Sequence, residues 1–260
     1  MNPLCFFVGP LIFSIAKLAS GEQAKQSEKE PTTAEVVASI GDIAGDRTLE
    51  LQLEAIAEGM PVGFCRTSLS STGSSGSGTF KYEAELVISL GQGARIEGWI
   101  KALLGPTLEP IEIELRRELV APNGKRKTTV HRIKIRDTDV LHTLEVDGNP
   151  ATQQHLPRPE SPFVFALEFV VQRTDIERFP AFALREFDVE DRTVKTQHFS
   201  VETGSGGIRR LASREDSGEV GYVFEVDGKG ELLSWIEPPL SVVFKRCSRE
   251  RFGELRKSMR

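Results

Sequence analysis

Phe80-Lys81-Tyr82-Glu83-Ala84-Glu85-Leu86-Val87-Ile88-Ser89-Leu90 is the stretch whose reading decides the fold. Phe80, Tyr82, Ala84, Leu86, Ile88 and Leu90 keep one face apolar, while Lys81, Glu83 and Glu85 keep the other charged. Side chains alternate between faces only in an extended chain, so a period of two over this length specifies a strand with one buried face. The same signal recurs on both sides. Upstream, Leu49, Leu51 and Leu53 alternate with Glu50, Gln52 and Glu54; downstream, Ile111, Ile113 and Leu115 alternate with Glu112, Glu114 and Arg116.

Turn chemistry separates the strands. Pro122-Asn123-Gly124 tolerates the positive φ values of a tight hairpin, residues 130–135 return, and residues 144–146 end at Asp147-Gly148. Residues 223–226 run into Asp227-Gly228-Lys229-Gly230, residues 232–236 come back, and residues 242–244 close the series. Glu-Val-Asp-Gly occurs at both 145–148 and 225–228, which suggests one turn solution used twice. Strands joined by short hairpins are antiparallel. The fold class expected is mainly β: a single long curved antiparallel sheet, a half-barrel meander, around one or two short helices.

The 260 residues carry 33 basic and 38 acidic side chains, a net charge of −5, with 39% apolar residues. That balance excludes wholesale disorder, and it argues against nucleic acid as a partner, because phosphate binding needs a basic stripe. Residues 4–16 (LCFFVGPLIFSIA) carry no charge and are too few to span a bilayer. They match the apolar core of a secretory signal peptide, with Ala19-Ser20-Gly21 as the cleavage site. Lys17 and the absence of Lys or Arg before the run fit that pattern less well and favour the alternative of an uncleaved anchor or a buried helix. The organisation expected is a leader over 1–21, a polar tether over 22–47 that can hold a short helix entered from Thr33, a sheet domain over 48–247, and a short basic helix or tail over 248–260. The localisation expected is export, to the periplasm or outside the cell, with no transmembrane span once the leader is removed. Export leaves Cys65 and Cys247 as an even pair in an oxidising compartment, so a disulfide between them is one reading and two unrelated thiols the other.

Residues 161–175 break the rhythm of hairpins. Ser161-Pro162 suits a helix start, and the apolar run after it reads as a buried helix, with a strand as the alternative, since Phe163, Phe165, Leu167 and Phe169 also alternate. No catalytic constellation emerges: there is no G-x-S-x-G elbow, and the serines of residues 69–78 form a loop-like run. Residues 204–207 lack the Lys-Ser/Thr that closes a phosphate loop. Asp188, Glu190 and Asp191 read as a solvated turn rather than an acid–base or calcium site. His131, His142, His155 and His198 show no metal-ligand spacing; His131 and His142 could face each other across adjoining strands, but the expectation is no metal, no cofactor and no enzyme.

Gly59-x-Pro61-Val62-Gly63-Phe64, the paired hairpins, the apolar insertion after Pro157, Pro159 and Pro162, and Asp227-Gly228-Lys229-Gly230-Glu231-Leu232 followed by a strand and an Arg-rich helix together resemble a known group. They are similar to exported bacterial proteins of unknown function built on the lipoprotein-carrier-like half-barrel. That resemblance implies one long sheet curled around a short helix or two. The function expected is a binding module outside the cytoplasm, with an acyl chain or lipidated partner in an apolar concavity lined by Phe80, Tyr82, Leu86, Ile88, Phe163, Phe165, Leu167 and Phe169. The alternative is a cell-envelope interaction or scaffolding protein with a filled core and no small-molecule ligand. Partners expected are therefore a lipid or a lipidated or envelope protein.

Overall fold

A computed structural model of the chain describes residues 30–40, 48–72, 78–237 and 242–259. The leader, residues 1–21, lies outside the described residues. Among those described, no helix is long and apolar enough to cross a membrane.

Eight strands come first: β1 (Leu49–Ala57), β2 (Met60–Ser71), β3 (Phe80–Gly91), β4 (Ala94–Leu104), β5 (Pro110–Val120), β6 (Arg126–Ile135), β7 (Asp139–Val146) and β8 (Thr152–Pro157). Six more follow: β9 (Ala181–Asp188), β10 (Thr193–Thr203), β11 (Arg209–Glu215), β12 (Val220–Val226), β13 (Leu232–Glu237) and β14 (Val242–Arg246). The helices are α1 (Thr33–Ile40), α2 (Leu167–Arg173) and α3 (Arg249–Ser258). All fourteen strands form one antiparallel sheet in the order β8-β7-β6-β5-β4-β3-β2-β1-β14-β13-β12-β11-β10-β9. The expected mainly β, curved antiparallel sheet around short helices is what the chain builds. It is two meanders joined at β1 and β14, so β1 lies in the middle and the edges are β8 and β9.

The concave face is the apolar one. Cross-strand register aligns Leu53 with Cys65, Cys65 with Leu86, and Tyr82 with Ala102, and the parity of these pairs carries the inner face around the sheet. On the second meander it carries an aromatic ladder. Phe182 stacks on Phe199 at 5.0 Å, and Phe199, Phe224, Trp235 and Phe244 continue it at ring separations of 6.2, 6.5 and 5.2 Å. The outer face is charged, with opposite charges facing across strands, as in Lys134–Glu112 at 2.6 Å and Arg132–Glu114 at 3.0 Å.

Several expectations need correction. The short helix expected after Thr33 is present as α1, but it is docked rather than part of a free tether. Thr32 and Glu35 form a capping box that starts α1, and Val36 and Val37 are buried in the main core. The Thr33 hydroxyl instead accepts the Arg185 amide at 2.9 Å, and the Pro31 carbonyl accepts the Ala183 amide, so this segment covers the backbone edge of β9. Ser161 is not a helix cap: the Ser161–Pro162 peptide is cis, and α2 begins only at Leu167, after Ala166 in the left-handed region. Val164, in the extended part, donates to Arg185 and accepts from Phe187, covering more of the same edge. The two Glu-Val-Asp-Gly turns also differ. Asp147 and Gly148 both take positive φ, whereas the second turn takes it at Gly230 and uses the Asp227 carboxylate to hold the Lys229 and Glu231 amides.

Cys65 and Cys247 are not joined by a disulfide, which corrects that reading. Cys65 is on the inner face opposite Leu53, whereas Cys247 packs on the outer face in a separate cluster with Phe64, Val87, Phe252 and Leu255. The sheet stands between them. That outer cluster seats α3, which Ser248 caps and Arg251–Glu54 and Arg256–Glu85 tie down. The carboxy-terminal segment is thus a helix rather than a tail, docked on the outer face.

Candidate functional site

The candidate site is the concavity, and it has two unlike halves. At one end of the sheet lie the β4–β5 loop and the crossing segment from β8 to β9. Phe165 enters there by donating its amide to the Leu108 carbonyl at 2.9 Å. Phe163, Phe165, Leu167 and Phe169 are all buried, and so are Phe80, Tyr82 and Ile88 on the sheet. The Tyr82 ring meets Phe165 and Phe169 edge-on, at 5.5 and 6.3 Å between centroids. Of the eight residues expected to line a ligand, seven are thus brought together as packed core. Leu86 alone keeps partial exposure. The crossing segment is a plug, and α1 packs beside it.

Inside the plug is a residue that sequence reasoning passed over. Glu168 is buried, and the Tyr82 hydroxyl donates to its Oε1 at 3.0 Å. Burial pushes its carboxyl above the ordinary range, and the hydrogen bonds from the backbone and Tyr82 offset that only in part. The signal was available, since Glu168 is the one charge within the apolar run 163–171.

The other half of the concavity lies toward the β1–β2, β3–β4 and β5–β6 turns, beyond the plug. Register places Leu86 opposite Gly98, Ile88 opposite Ile96, Ile96 opposite Leu119 and Ile100 opposite Leu115 on the inner face. Leu86, Ile96 and Ile100 are half-buried and Leu119 is 36% exposed, while Leu90 falls at the bulge where the β3–β4 register shifts. Gly98 adds no side chain beside Leu86. Arg117 stands in this apolar row, paired with Glu190 of the β9–β10 turn, and Arg192 of that turn donates to Gln154 on β8 at 3.1 Å. These contacts draw the two edges of the sheet toward each other. The remaining carboxylates of the turn are neutralised: Lys195 lies 2.8 Å from Asp188 and 2.7 Å from Asp191, which leaves no open acid pair for chemistry or calcium.

His131 and His142 do meet. Nδ1 of His131 and Nε2 of His142 are 3.2 Å apart on the inner faces of β6 and β7. Burial pushes both imidazoles below their usual range. His155 faces outward to Asp139, and His198 bridges Glu30 and Asp216 at 2.8 and 2.7 Å, which raises its pKa. Among the described residues, no group of three or more His, Cys, Asp or Glu could share a metal ion. Two open depressions, of about 590 and 380 Å³, lie on the charged outer face instead, the larger between Lys81, Lys101, Glu112, Arg132, Lys134 and Leu141.

No family model matches the chain, and no curated protein does. Among solved structures it is similar to the crystal structure of a beta-barrel-like protein of domain of unknown function DUF1849 from Brucella abortus. The two share 8% identity with a TM-score of 0.48, over 75% of this chain and 93% of that one.

Proposed function

We propose that the chain is an exported, non-enzymatic binding module that holds an acyl chain, or the acyl tail of a lipidated partner, against the unplugged half of its concave face. The observation that carries this reading is the exposure of Leu119 beside half-buried Leu86, Ile96 and Ile100 on the face that elsewhere forms the core. Apolar surface left in water on a concave wall is the usual form of a small-molecule site, and covering it contributes roughly 25 cal/mol per Å². The resemblance to the lipoprotein-carrier-like half-barrels supports the same reading. A fluorescent fatty acid tests it. Wild type binds with micromolar affinity, and Leu119→Arg, at an exposed position, weakens binding at least tenfold with unchanged circular dichroism, because it puts a charge against the chain. No binding at about 100 μM probe, well above that micromolar affinity, overturns it.

The second reading, a cell-envelope interaction protein with a filled core and no small-molecule ligand, is favoured by one observation. The plug residues Phe163, Phe165 and Phe169 are spent on packing, and the two depressions described lie on the outer face. Failure of the fatty-acid experiment transfers the function to that reading.

A further inference from the structure

We propose that the ligand of the unplugged half of the concavity is a free fatty carboxylate, its head taken by Arg117 and Arg192 and its chain laid over Gly98. This rests on the binding-module reading and narrows it. An acyl tail joined to a partner through an ester or amide brings no negative charge, whereas a free fatty acid does.

The head site is a pair of arginines that share one carboxylate. Arg117 stands on the inner face of β5 between Leu115 and Leu119, in a row that is otherwise apolar. Arg192 approaches from the β9–β10 turn, across the seam between the sheet edges, and both guanidinium groups act electrostatically on His131 together with Glu190. Arg117 is paired with Glu190, whereas Arg192 donates to the neutral Gln154 at 3.1 Å. Asp188 and Asp191 of the same turn are held by Lys195. Among the described residues, Arg117 gives Glu190 one N–H of the five a guanidinium carries. Both side chains are half-exposed, so an incoming carboxylate can take the place of Glu190 and be held bidentately.

The strand register lays out a path for the chain. Arg117, Gly98 and Leu86 are successive cross-strand partners on β5, β4 and β3. Leu119 and Ile96 form the row on the rim side of this path, and Leu115 and Ile100 the row on the plug side. Gly98 is not among the residues with positive φ, and a Cβ built on it would meet only the Leu86 Cβ, at 3.7 Å, an ordinary contact. Neither backbone nor packing therefore demands glycine there. Its missing side chain leaves a gap in the row beside the Arg117 stem, where the first methylenes of a chain are flanked by apolar side chains while the head faces two cations.

The test titrates the full chain at neutral pH with pyrenedodecanoic acid and with its uncharged ethanolamide. Wild type binds the acid about tenfold more tightly, the worth of a charge-assisted pair. Arg117→Gln removes that preference and leaves ethanolamide binding unchanged. Glu190→Gln withdraws the competing carboxylate and strengthens acid binding by about two- to fivefold, the size of an exposed ion pair, without affecting the ethanolamide. Gly98→Val fills the gap and weakens both probes alike, with unchanged circular dichroism. Should Arg117→Gln fail to fold, the two probes on wild type and on Glu190→Gln decide the matter. Equal affinity for the two probes, acid binding that Glu190→Gln leaves alone or weakens, or a Gly98→Val variant that binds both as wild type does, overturns the proposal while the binding-module reading stands. Binding of neither probe at about 100 μM overturns that reading and the proposal with it.

Discussion

Replacing Glu168 by Gln should make the protein more stable at neutral pH than at acid pH, relative to wild type. Glu168 sits in the plug with its Oε1 3.0 Å from the Tyr82 hydroxyl, and the Tyr82 ring is itself locked edge-on by Phe165 and Phe169. A Gln amide oxygen can occupy the same place and accept the same hydrogen bond, but it does not titrate. In the folded wild type, burial raises the carboxyl above its ordinary pKa, whereas the unfolded chain releases that proton near the ordinary value of about 4.3. The sign follows. Below that value both states hold the proton, and the two proteins differ by no more than about 0.5 kcal/mol. Above it the unfolded state binds fewer protons, so wild-type stability falls by up to about 1.4 kcal/mol per pH unit. The fall flattens once the pH passes the folded-state pKa. Urea unfolding of both proteins at intervals between about pH 4 and pH 8 measures the difference directly, since other titrating groups cancel. Parallel stability curves, or a wild type that gains on the variant as the pH rises, would refute a carboxyl destabilised by burial.

Two further outcomes test the sheet itself. Gly63→Ala should destabilise the protein by about 1–3 kcal/mol or more in urea unfolding, because a Cβ there would overlap the Val87 backbone carbonyl and neither strand can yield alone; unchanged stability would mean that β2 and β3 are farther apart than described. Non-reducing peptide mapping of oxidised, folded protein should recover Cys65 and Cys247 as separate thiols, with Cys247 alkylating slowly because burial and the nearby Glu54 push its pKa up. A linked 65–247 peptide would contradict their placement on opposite faces.

How much of this was legible depends on what each strand's two faces touch. β1, β3 and β5 separate apolar core from charged solvent, so their alternation showed plainly. β8 (Thr152–Pro157) is an almost wholly exposed edge and carries no apolar face to find. β10 and β11 hide theirs differently, because their inner row mixes Phe199 and Leu211 with Gln197 and Ser213, which hydrogen-bond each other at 2.8 Å. The covering of the β9 edge by Pro31, Thr33 and Val164 runs largely through backbone groups, which leave little side-chain signature. The repeated Glu-Val-Asp-Gly misled because four residues do not settle a turn: the glycine at 230, outside the repeat, decided the second one.

The His131–His142 pair shows where sequence reading stops and register begins. Paired residues of β6 and β7 are His131 with Leu144, Ile133 with His142 and Ile135 with Val140. Both histidines therefore fall on the inner face, as diagonal neighbours, only because the turn over residues 136–138 sets this pairing, which the Arg136 amide fixes by donating to the Asp139 carbonyl at 2.9 Å. A slip of one residue would set His142 opposite position 132 or 134 and turn it to the charged outer face. The same slip would bring Leu141 and Thr143 inward in its place. Ile135 and Val140, both buried, would then lose each other as apolar partners, so the hydrophobic face that holds the register also holds the two imidazoles together. An eleven-residue spacing between histidines contains none of this. It acquires meaning only once the turn length and the buried face are known.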